Sequence, residues 1–259
     1  MKPAPFDLLR PASIADAITV LAQAGTEARV LSGGQSLGPM LNLRVVQPKL
    51  LVQINHLPDL AGAAAAPDAI TLGACITHAA IAAGRTPDLP GGWLARVAGG
   101  IAYQAVRNRG TIGGSLCHAD PAADWVVVLT ALDATAIVQS ASGARHVPVS
   151  RFVTGAYATA LAAGEILTAL RIPLPPAGAT WGYVKACRKP GEFAHAMAAA
   201  LIAGPSRRLV IGALGGPPLL LTGARASLDG ARDALAHLDA VDRHMQLATV
   251  RRALAQAGG

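Results

Sequence analysis

The order of apolar and polar residues near the N-terminus is that of an amphipathic helix. The apolar positions recur at helical spacing and fall on one face: Ile14, Ala17, Ile18 and Leu21. Ser13 precedes this run, with Asp16 three residues later as in a capping box, and Gly25 follows it as a stop signal. The pattern predicts a helix that begins after Ser13 and ends at about Ala24.

Short apolar runs bounded by turn-forming residues predict strands along the rest of the chain. We expect these strands at Ala28–Leu31, Leu50–Ile54, Ala69–Ala74, Ala134–Gln139, Arg145–Val149, Glu165–Ile172, Thr180–Cys187 and Arg207–Leu214. The fourth and fifth strands form a hairpin around Ser142-Gly143, because such dipeptides favour tight turns. Strands mixed with helices indicate an α+β fold.

Further helices are predicted at Thr77–Ala83, after Asp120, and in the C-terminal tail from Gly230. Asp120 is expected to cap a helix that begins at Pro121, because proline is well tolerated in the first turn. The stretch Pro58–Pro67 is rich in alanine and proline and is predicted as a loop or linker.

The composition is that of a globular protein. Of 259 residues, 52% are hydrophobic, largely alanine, and only 3% are aromatic. The apolar stretch Trp125–Leu132 is far shorter than the ~18 residues that a bilayer span requires. Residues Met1–Asp7 lack the apolar core of a secretory signal. We therefore expect a cytoplasmic protein without an integral membrane segment.

The net charge of +7 does not by itself indicate nucleic-acid binding. Basic residues are scattered apart from the pairs Arg207-Arg208 and Arg251-Arg252, and few aromatic residues are present to stack on bases. A diphosphate ligand or an acidic partner protein would use the same charge. No nucleic-acid partner is predicted.

The cysteines and histidines do not have metal-ligand spacing. Cys75, Cys117 and Cys187 are widely separated, so this chain alone is not expected to hold an iron-sulfur cluster or a structural zinc. We interpret the three as small buried apolar residues. His118 and His195 are expected to have hydrogen-bonded structural roles rather than to act as ligands or catalysts.

Two glycine pairs give the clearest indication of a binding site. The first glycine segment is Ser32-Gly33-Gly34-Gln35-Ser36, and the second is Thr111-Ile112-Gly113-Gly114-Ser115. Glycine accepts φ > 0 and lets the backbone approach a ligand, so turned N–H groups can bind an anion. A single pair is often an ordinary tight turn, but two pairs suggest a pyrophosphate held from both sides. Neither segment has the spacing of a Rossmann fingerprint or a P-loop.

The surrounding residues carry a family resemblance. In chain order, the segments are Arg29–Ser36 followed by Leu37–Arg44, Val106–Ser115 continuing through His118–Asp124, and Tyr183–Ala194. In this order they resemble the two flavin loops and the start of the C-terminal domain in the FAD-binding subunit of the molybdenum hydroxylases. One departure is Glu192-Phe193, where the family often has Asp-Tyr or Asp-Phe. The sequence after Gly215-Gly216-Pro217 matches only loosely.

The resemblance implies a domain organisation. Residues 1–175 would form an FAD-binding domain of the PCMH type, with subdomains of about 1–57 and 58–175. Residues 176–259 would form a smaller C-terminal domain with an antiparallel sheet and helices. The boundary falls in Pro173–Gly178, which holds three prolines.

The resemblance also implies cofactor-binding residues. Two stretches would hold the diphosphate of FAD: Arg29, Val30, Leu31, Ser32, Gly33, Gly34, Gln35 and Ser36, and then Thr111, Ile112, Gly113, Gly114 and Ser115. Asp124 would bind a polar part of the cofactor, and Phe193 would pack against the flavin ring. Other positions would line the flavin: Ile101, Ile166, Leu167 and Lys185. The alternatives are a helix N-terminal acid for Asp124, a solvated surface amine for Lys185 and a core side chain for Phe193.

The implied function is electron transfer within a complex. A large subunit would hydroxylate substrate at a molybdenum cofactor, and a small subunit would carry electrons through two 2Fe-2S clusters. The FAD of this chain would pass them to an external acceptor. By resemblance, the three subunits would form a heterotrimer, and two heterotrimers would form a dimer. Two alternatives remain open, which are a self-contained flavin oxidase of related fold and a non-redox binding module.

Overall fold

The structure, a computed structural model, describes residues 2–258, and the strands among them form four β-sheets. The first sheet is parallel, in the order β1-β3-β2, with β1 at Asp7–Leu9, β2 at Ala28–Leu31 and β3 at Leu50–Gln53. Parallel strands end at one edge of their sheet, and ligands bind outside that edge in open α/β sheets. The end of β2 delivers the first glycine segment there, and the short helix α2, Leu37–Asn42, follows it.

The first predicted helix is confirmed as α1, Ile14–Ala24. The Ser13 hydroxyl accepts a hydrogen bond from the backbone N–H of Asp16 at 3.1 Å, and Gly25 ends the helix at φ +53°. Ala17, Ile18 and Leu21 are buried on its inner face. Local capping chemistry and hydrophobic spacing were therefore enough to locate this helix.

The second sheet is antiparallel, in the order β4-β5-β10-β6-β7. Its strands are β4 at Ala63–Ala65, β5 at Ala69–Gly73, β6 at Thr135–Ser140, β7 at Gly143–Pro148 and β10 at Ile166–Pro173. The hairpin around Ser142-Gly143 is confirmed. The prediction of a loop for Pro58–Pro67 was wrong, since it contains a 3-10 turn at Pro58–Leu60 as well as β4. The three alanines of β4 are all exposed, so they show no alternation of apolar and polar residues that would predict a strand. They form a strand because they pair with β5.

The helices beside this sheet are α3 at His78–Ala82, α4 at Trp93–Gly99, α5 at Gln104–Arg107, α6 at Ile112–His118 and α7 at Asp124–Ala131. The predicted start of a helix at Pro121 was wrong. The carboxylate of Asp120 accepts a hydrogen bond from the N–H of Ala122 at 2.9 Å and so closes a turn before α7 begins. Helix α8, Val149–Phe152, and a small sheet of β8, Val153–Gly155, and β9, Ala158–Thr159, complete this part.

The fourth sheet is antiparallel, in the order β11-β12-β13-β14. Its strands are β11 at Thr180–Ala186, β12 at Ala196–Ala203, β13 at Ser206–Gly212 and β14 at Leu219–Thr222. Strand β12 was not predicted, because its run of small apolar residues does not alternate with polar ones. The helical tail is confirmed as α9, Leu228–Ala234, and α10, Ala240–Gln256, preceded by a 3-10 turn at Gly223–Arg225.

Helix α7 belongs to two hydrophobic cores. Trp125, Val128 and Leu129 pack into the core of the second sheet, whereas Val127 and Ala131 pack against the C-terminal sheet. Every residue of α7 is buried, and its two polar side chains, Asp124 and Thr130, are hydrogen-bonded. Within residues 2–258, no helix has both the length and the hydrophobicity to cross a bilayer.

Candidate functional site

A cleft of about 880 Å³ lies where the two glycine segments meet. We call it the central cleft, and residues 191–193 of the C-terminal part also line it. Most residues that the sequence reading assigned to a cofactor are in its wall: Arg29, Val30, Ser32, Gly33, Gly34, Gln35, Ser36, Ile101, Thr111, Gly113, Gly114, Ser115, Asp124, Ile166, Leu167 and Phe193. Positions far apart in the chain are therefore brought to one surface.

Three predicted positions do not line the central cleft. Ile112 is fully buried in the core of the second sheet, where its side chain packs with other apolar residues. Leu31 lies beneath the first glycine segment, where its Cδ1 would be 3.3 Å from a Cβ placed on Gly34. Lys185 is held by an ion pair behind the wall. A direct contact between these side chains and a ligand in the cleft is not supported.

The first glycine segment is rich in free hydrogen-bond donors. Gly34 has φ +72°, which favours glycine, whereas Gly33 does not have a positive φ. In the described part of the chain, the backbone N–H groups from Gly33 to Ser36 donate to no backbone or side-chain acceptor. Backbone N–H groups need partners, and buried ones almost always have them. This segment therefore presents its donors to whatever occupies the cleft.

The second glycine segment differs from the prediction. The N–H groups of Ile112 and Gly113 donate to Ile76 and Ala74, and those of Gly114 and Ser115 donate to the side chain and backbone of Thr111. These donors are already used, so the expected nest of free N–H groups exists in the first segment alone. Gly113 instead allows close packing within the protein, since a Cβ on it would lie 2.5 Å from the Cβ of Ala74.

Hydroxyl and glycine contacts join the two segments. The Oγ of Ser32 lies 3.0 Å from the Oγ1 of Thr111 and 3.3 Å from the Sγ of Cys75. A Cβ on Gly33 would lie 2.1 Å from the carbonyl oxygen of Arg109 and 2.9 Å from the Cα of Gly110. Real Cβ atoms do not approach backbone so closely, so only glycine fits at position 33.

A buried polar network stands behind one wall of the cleft. The Asp124 carboxylate accepts hydrogen bonds from the Nζ of Lys185 at 2.8 Å and from the hydroxyl of Tyr183 at 2.7 Å. The Lys185 amine also donates to the carbonyl of Gly100 at 3.0 Å. Burial, and then the Asp124 charge, hold the pKa of Tyr183 well above its usual value, so Tyr183 stays protonated and donates. The side chain of Lys185 is 11% exposed, so it is not the solvated amine of the alternative interpretation.

The segment around Ile101 brings the C-terminal part to the cleft. Ile101 forms an isolated parallel bridge with Gly191, and a Cβ on Gly191 would lie 2.6 Å from the carbonyl oxygen of Ala102. The guanidinium of Arg107 donates to the carbonyls of Ile101 and Ala102, each at 2.8 Å. Phe193 follows this contact and is 65% exposed, so it is not a core side chain.

Several residues of the cleft were not identified from the sequence. Tyr103 and Tyr157 are exposed in its wall, and the ring of Tyr157 lies 5.2 Å from that of His118. His78 is buried in the wall and accepts a hydrogen bond from the indole of Trp125. None of these residues stands in a local motif, and only the tertiary contacts identify them.

The prediction of three buried cysteines was wrong for two of them, since Cys75 is buried but Cys117 and Cys187 are only partly buried. Cys75 and Cys117 line the cleft, and burial raises the pKa of both, to about 12 for Cys117. Both thiols therefore stay protonated at neutral pH. Between residues 2 and 258, no three histidine, cysteine or acidic side chains are grouped as metal ligands.

Residues 4–175 match a protein family described as the FAD binding domain in molybdopterin dehydrogenase. The chain is 38% identical over 222 residues to subunit alpha of the 6-hydroxypseudooxynicotine dehydrogenase complex of Paenarthrobacter nicotinovorans, covering 83% of this chain and 74% of that protein. It is 36% identical over 201 residues to the carbon monoxide dehydrogenase medium chain of Hydrogenophaga pseudoflava, covering 76% and 68%.

The fold is similar to that of a solved enzyme as well. Carbon monoxide dehydrogenase from Hydrogenophaga pseudoflava, in a form that lacks the Mo-pyranopterin moiety, contains a chain that superposes with a TM-score of 0.90 at 30% identity. The superposition covers 100% of this chain and 99% of that chain. The C-terminal sheet and helices, beyond the matched family region, are therefore shared too.

Proposed function

This chain belongs to the FAD-binding family of the molybdopterin dehydrogenases, and from that membership we propose a route by which electrons pass through it. It is the FAD-binding subunit of a molybdenum hydroxylase-type complex, an oxidoreductase subunit with FAD as cofactor. Electrons arrive from a 2Fe-2S cluster in a small partner subunit, pass to the FAD and leave to an external acceptor. A large partner subunit oxidises the organic substrate at a molybdenum cofactor, and the three subunits form a heterotrimer in the cytoplasm.

The central cleft fits the cofactor. Its volume of about 880 Å³ lies within the range of about 300 to 1,000 Å³ that is usual for ligand sites. FAD carries two phosphates between two aromatic ring systems. The cleft offers free N–H groups from Gly33 to Ser36 for the phosphates, and exposed aromatic side chains, Tyr103, Tyr157 and Phe193, for the rings. The single observation that supports this assignment most strongly is the run of free donors in the first glycine segment.

Different parts of the cleft have different tasks in this proposal. The first glycine segment donates to the diphosphate, and the hydroxyl of Ser115 adds a polar contact. Gly113 lets the second segment pack tightly against Ala74, and the hydroxyl of Thr111 joins the two segments through Ser32. Ile101, Ile166, Leu167 and Phe193 give the flavin an apolar surround that excludes water. Asp124 faces a polar edge of the cofactor. Lys185 acts through Asp124, because its amine is bonded to that carboxylate.

The chain contributes placement rather than its own redox group. FAD supplies the electron-accepting chemistry, and the protein supplies binding, orientation and electrostatics. The protonated thiols of Cys75 and Cys117 add apolar lining to the wall. Named relatives such as a complex subunit alpha and a medium chain are parts of larger assemblies, which supports a partner as the source of electrons.

Purification of the chain alone and with its partners tests this route. From its native source, the tagged chain should copurify with subunits that bring iron and molybdenum, measured by elemental analysis, together with FAD absorbance. Expressed alone, it should hold FAD without either metal. Under anaerobic conditions, substrates named for relatives, which are carbon monoxide, caffeine, nicotine and glyceraldehyde, should leave the flavin of the isolated chain oxidised.

Dithionite serves as the control, since it should bleach the flavin of the isolated chain and a dye should restore its absorbance. Reduction of the isolated chain by an organic substrate would instead support a self-contained flavin oxidase. Copurified partners without iron would contradict the proposed electron source.

A further inference from the structure

His78 is a buried histidine in the wall of the central cleft, and the proposed function assigns it no role. It begins helix α3 and is 5% exposed. Its backbone N–H donates to the carbonyl of Gly110 at 2.9 Å, which places it against the chain just before the second glycine segment. A buried polar side chain at a ligand site needs a partner for each of its polar atoms.

A single hydrogen bond fixes the tautomer of His78. The indole Nε1–H of Trp125 lies 3.1 Å from the Nδ1 of His78. Indole is only a donor, so Nδ1 must be the unprotonated acceptor, and the neutral ring must carry its hydrogen on Nε2. Burial and, to a lesser degree, the charge of Arg107 lower the pKa of His78 to about 4. The ring is therefore neutral at physiological pH, with one N–H left to donate.

That N–H lies beside Gly110, the residue just before the second glycine segment. A Cβ on Gly110 would be 3.0 Å from the Cδ2 of His78 and 3.2 Å from its Nε2, so this edge of the ring faces Gly110. The Cα of Gly110 is in turn 2.9 Å from the place of a Cβ on Gly33. Among the described residues, Trp125 is the one side-chain hydrogen-bond partner of the His78 ring. Its Nε2–H is left for a group inside the cleft.

We propose that His78 is a cofactor-binding residue, held by Trp125 as the Nε2–H tautomer so that it donates a hydrogen bond to an oxygen of the chain that links the two ring systems of FAD. The inference rests on the proposed use of the cleft for FAD. It adds a side-chain donor from a helix outside both glycine segments, and it gives the indole of Trp125 a task beyond packing.

Binding of FAD to the full-length, flavin-free protein tests the proposal. Titrations followed by flavin fluorescence compare the native protein with His78→Leu, which keeps an apolar side chain of similar bulk but cannot donate. The dissociation constant should rise about tenfold, the effect expected for one lost hydrogen bond to a charged or strongly polar acceptor. His146→Leu is the matched control, since His146 is exposed on β7 and does not line the cleft.

Trp125→Phe is the second variant. It keeps an aromatic ring but removes the N–H that fixes His78, so the ring can place its hydrogen on either nitrogen. Affinity for FAD should fall by less than in His78→Leu. Affinity unchanged in both variants would show that His78 only packs.

Nitrogen-15 NMR of the native protein provides a readout that a purely structural role would not change. Before FAD is added, Nδ1 should be unprotonated and Nε2 protonated. Binding of FAD should move the Nε2 proton resonance downfield. ADP and riboflavin, used as separate probes, tell whether the acceptor lies on the phosphate side or the ribityl side.

The two hypotheses fail in different ways. Native protein that does not bind FAD would contradict the use of the cleft, whereas FAD that binds without any change at Nε2 would overturn only the role of His78. Because the NMR experiment uses native protein, it decides the question even if His78→Leu does not fold.

Discussion

Gly33 is the residue at which the first glycine segment touches Arg109 and Gly110, just before the second segment, and its missing side chain permits the contact. The glycines of both pairs were expected to have positive φ angles, but among these four residues only Gly34 has a positive φ. The constraint at Gly33 is steric, because a Cβ would lie 2.1 Å from a backbone carbonyl oxygen that cannot easily move. The structure therefore gives a steric reason for glycine at position 33 in place of the predicted conformational one.

Gly33→Ala should therefore abolish FAD retention. The added methyl group pushes the first glycine segment away from Arg109 and Gly110 and misplaces its N–H donors. Absorbance of the purified protein in the flavin bands measures occupancy, with circular dichroism to confirm folding. Gly38→Ala is the control, because a Cβ there meets no atom within 4 Å and the residue lies outside the cleft wall. Full occupancy in Gly33→Ala would refute the contact as a requirement for binding.

At the scale of elements, the ion pair of Lys185 with Asp124 joins strand β11 to helix α7. The side chains are 11% and 8% exposed. Removing one partner of a buried pair leaves the other charge without compensation in a poorly solvated place, which is strongly destabilising. The pair thus connects the C-terminal sheet with the helix that lines the cleft.

Lys185→Met should lower the free energy of unfolding of the flavin-free protein by about 3 kcal/mol, measured by urea denaturation. The exposed pair of Arg188 with Glu192, with side chains 79% and 30% exposed, is the internal comparison. Arg188→Met should cost less than about 1 kcal/mol, since exposed pairs contribute little. Replacing both Lys185 and Asp124, with Met and Asn, should recover part of the loss. Equal effects of the two single substitutions would argue against a buried, coupled pair.

At the scale of the whole molecule, helix α7 holds the C-terminal sheet against the rest of the protein. Val127 and Ala131 pack with Met197, Ala199 and Val210, and the guanidinium of Arg208 donates to the carbonyls of Thr130 and Ala131. We call this contact of α7 with strands β12 and β13 the seam. It lies beside the cleft, and residues on both sides of the seam line the cleft wall. The position of Phe193 therefore depends on how the two parts pack.

Gly212→Ala should weaken this seam. A Cβ on Gly212 would lie 2.2 Å from the Cγ2 of Val127, a fully buried side chain that has no space to move. Overpacking of this kind costs about 1 to 3 kcal/mol, which urea denaturation can resolve, and FAD affinity should fall with it. Gly216→Ala should change stability by less than about 0.5 kcal/mol, because a Cβ there meets no atom within 4 Å. A variant at Gly212 as stable as native protein would mean that the seam is loosely packed.

Features that depend on neighbouring residues could be predicted from the amino-acid sequence. Ser13 and Gly25 fixed the ends of α1, Ser142-Gly143 fixed a hairpin, and the two glycine segments with their flanking residues indicated the family and the cofactor. Local hydrogen bonds and hydrophobic spacing are visible in a short stretch of chain, which is why these predictions succeeded. The division into domains at Pro173–Gly178 stays a prediction.

Contacts between residues that are far apart in the chain are visible only in the tertiary structure. The hydroxyls of Ser32 and Thr111 meet across 79 positions, Lys185 reaches Asp124 across 61, and Trp125 fixes the tautomer of His78 across 47. Residues Ala196–Ala203 form strand β12 because β11 and β13 pair with them on either side. Lys185 forms an ion pair with Asp124 because both are buried where strand β11 meets helix α7. The free energies that favour such contacts arise from packing and burial in three dimensions, and no local pattern of residue types specifies them.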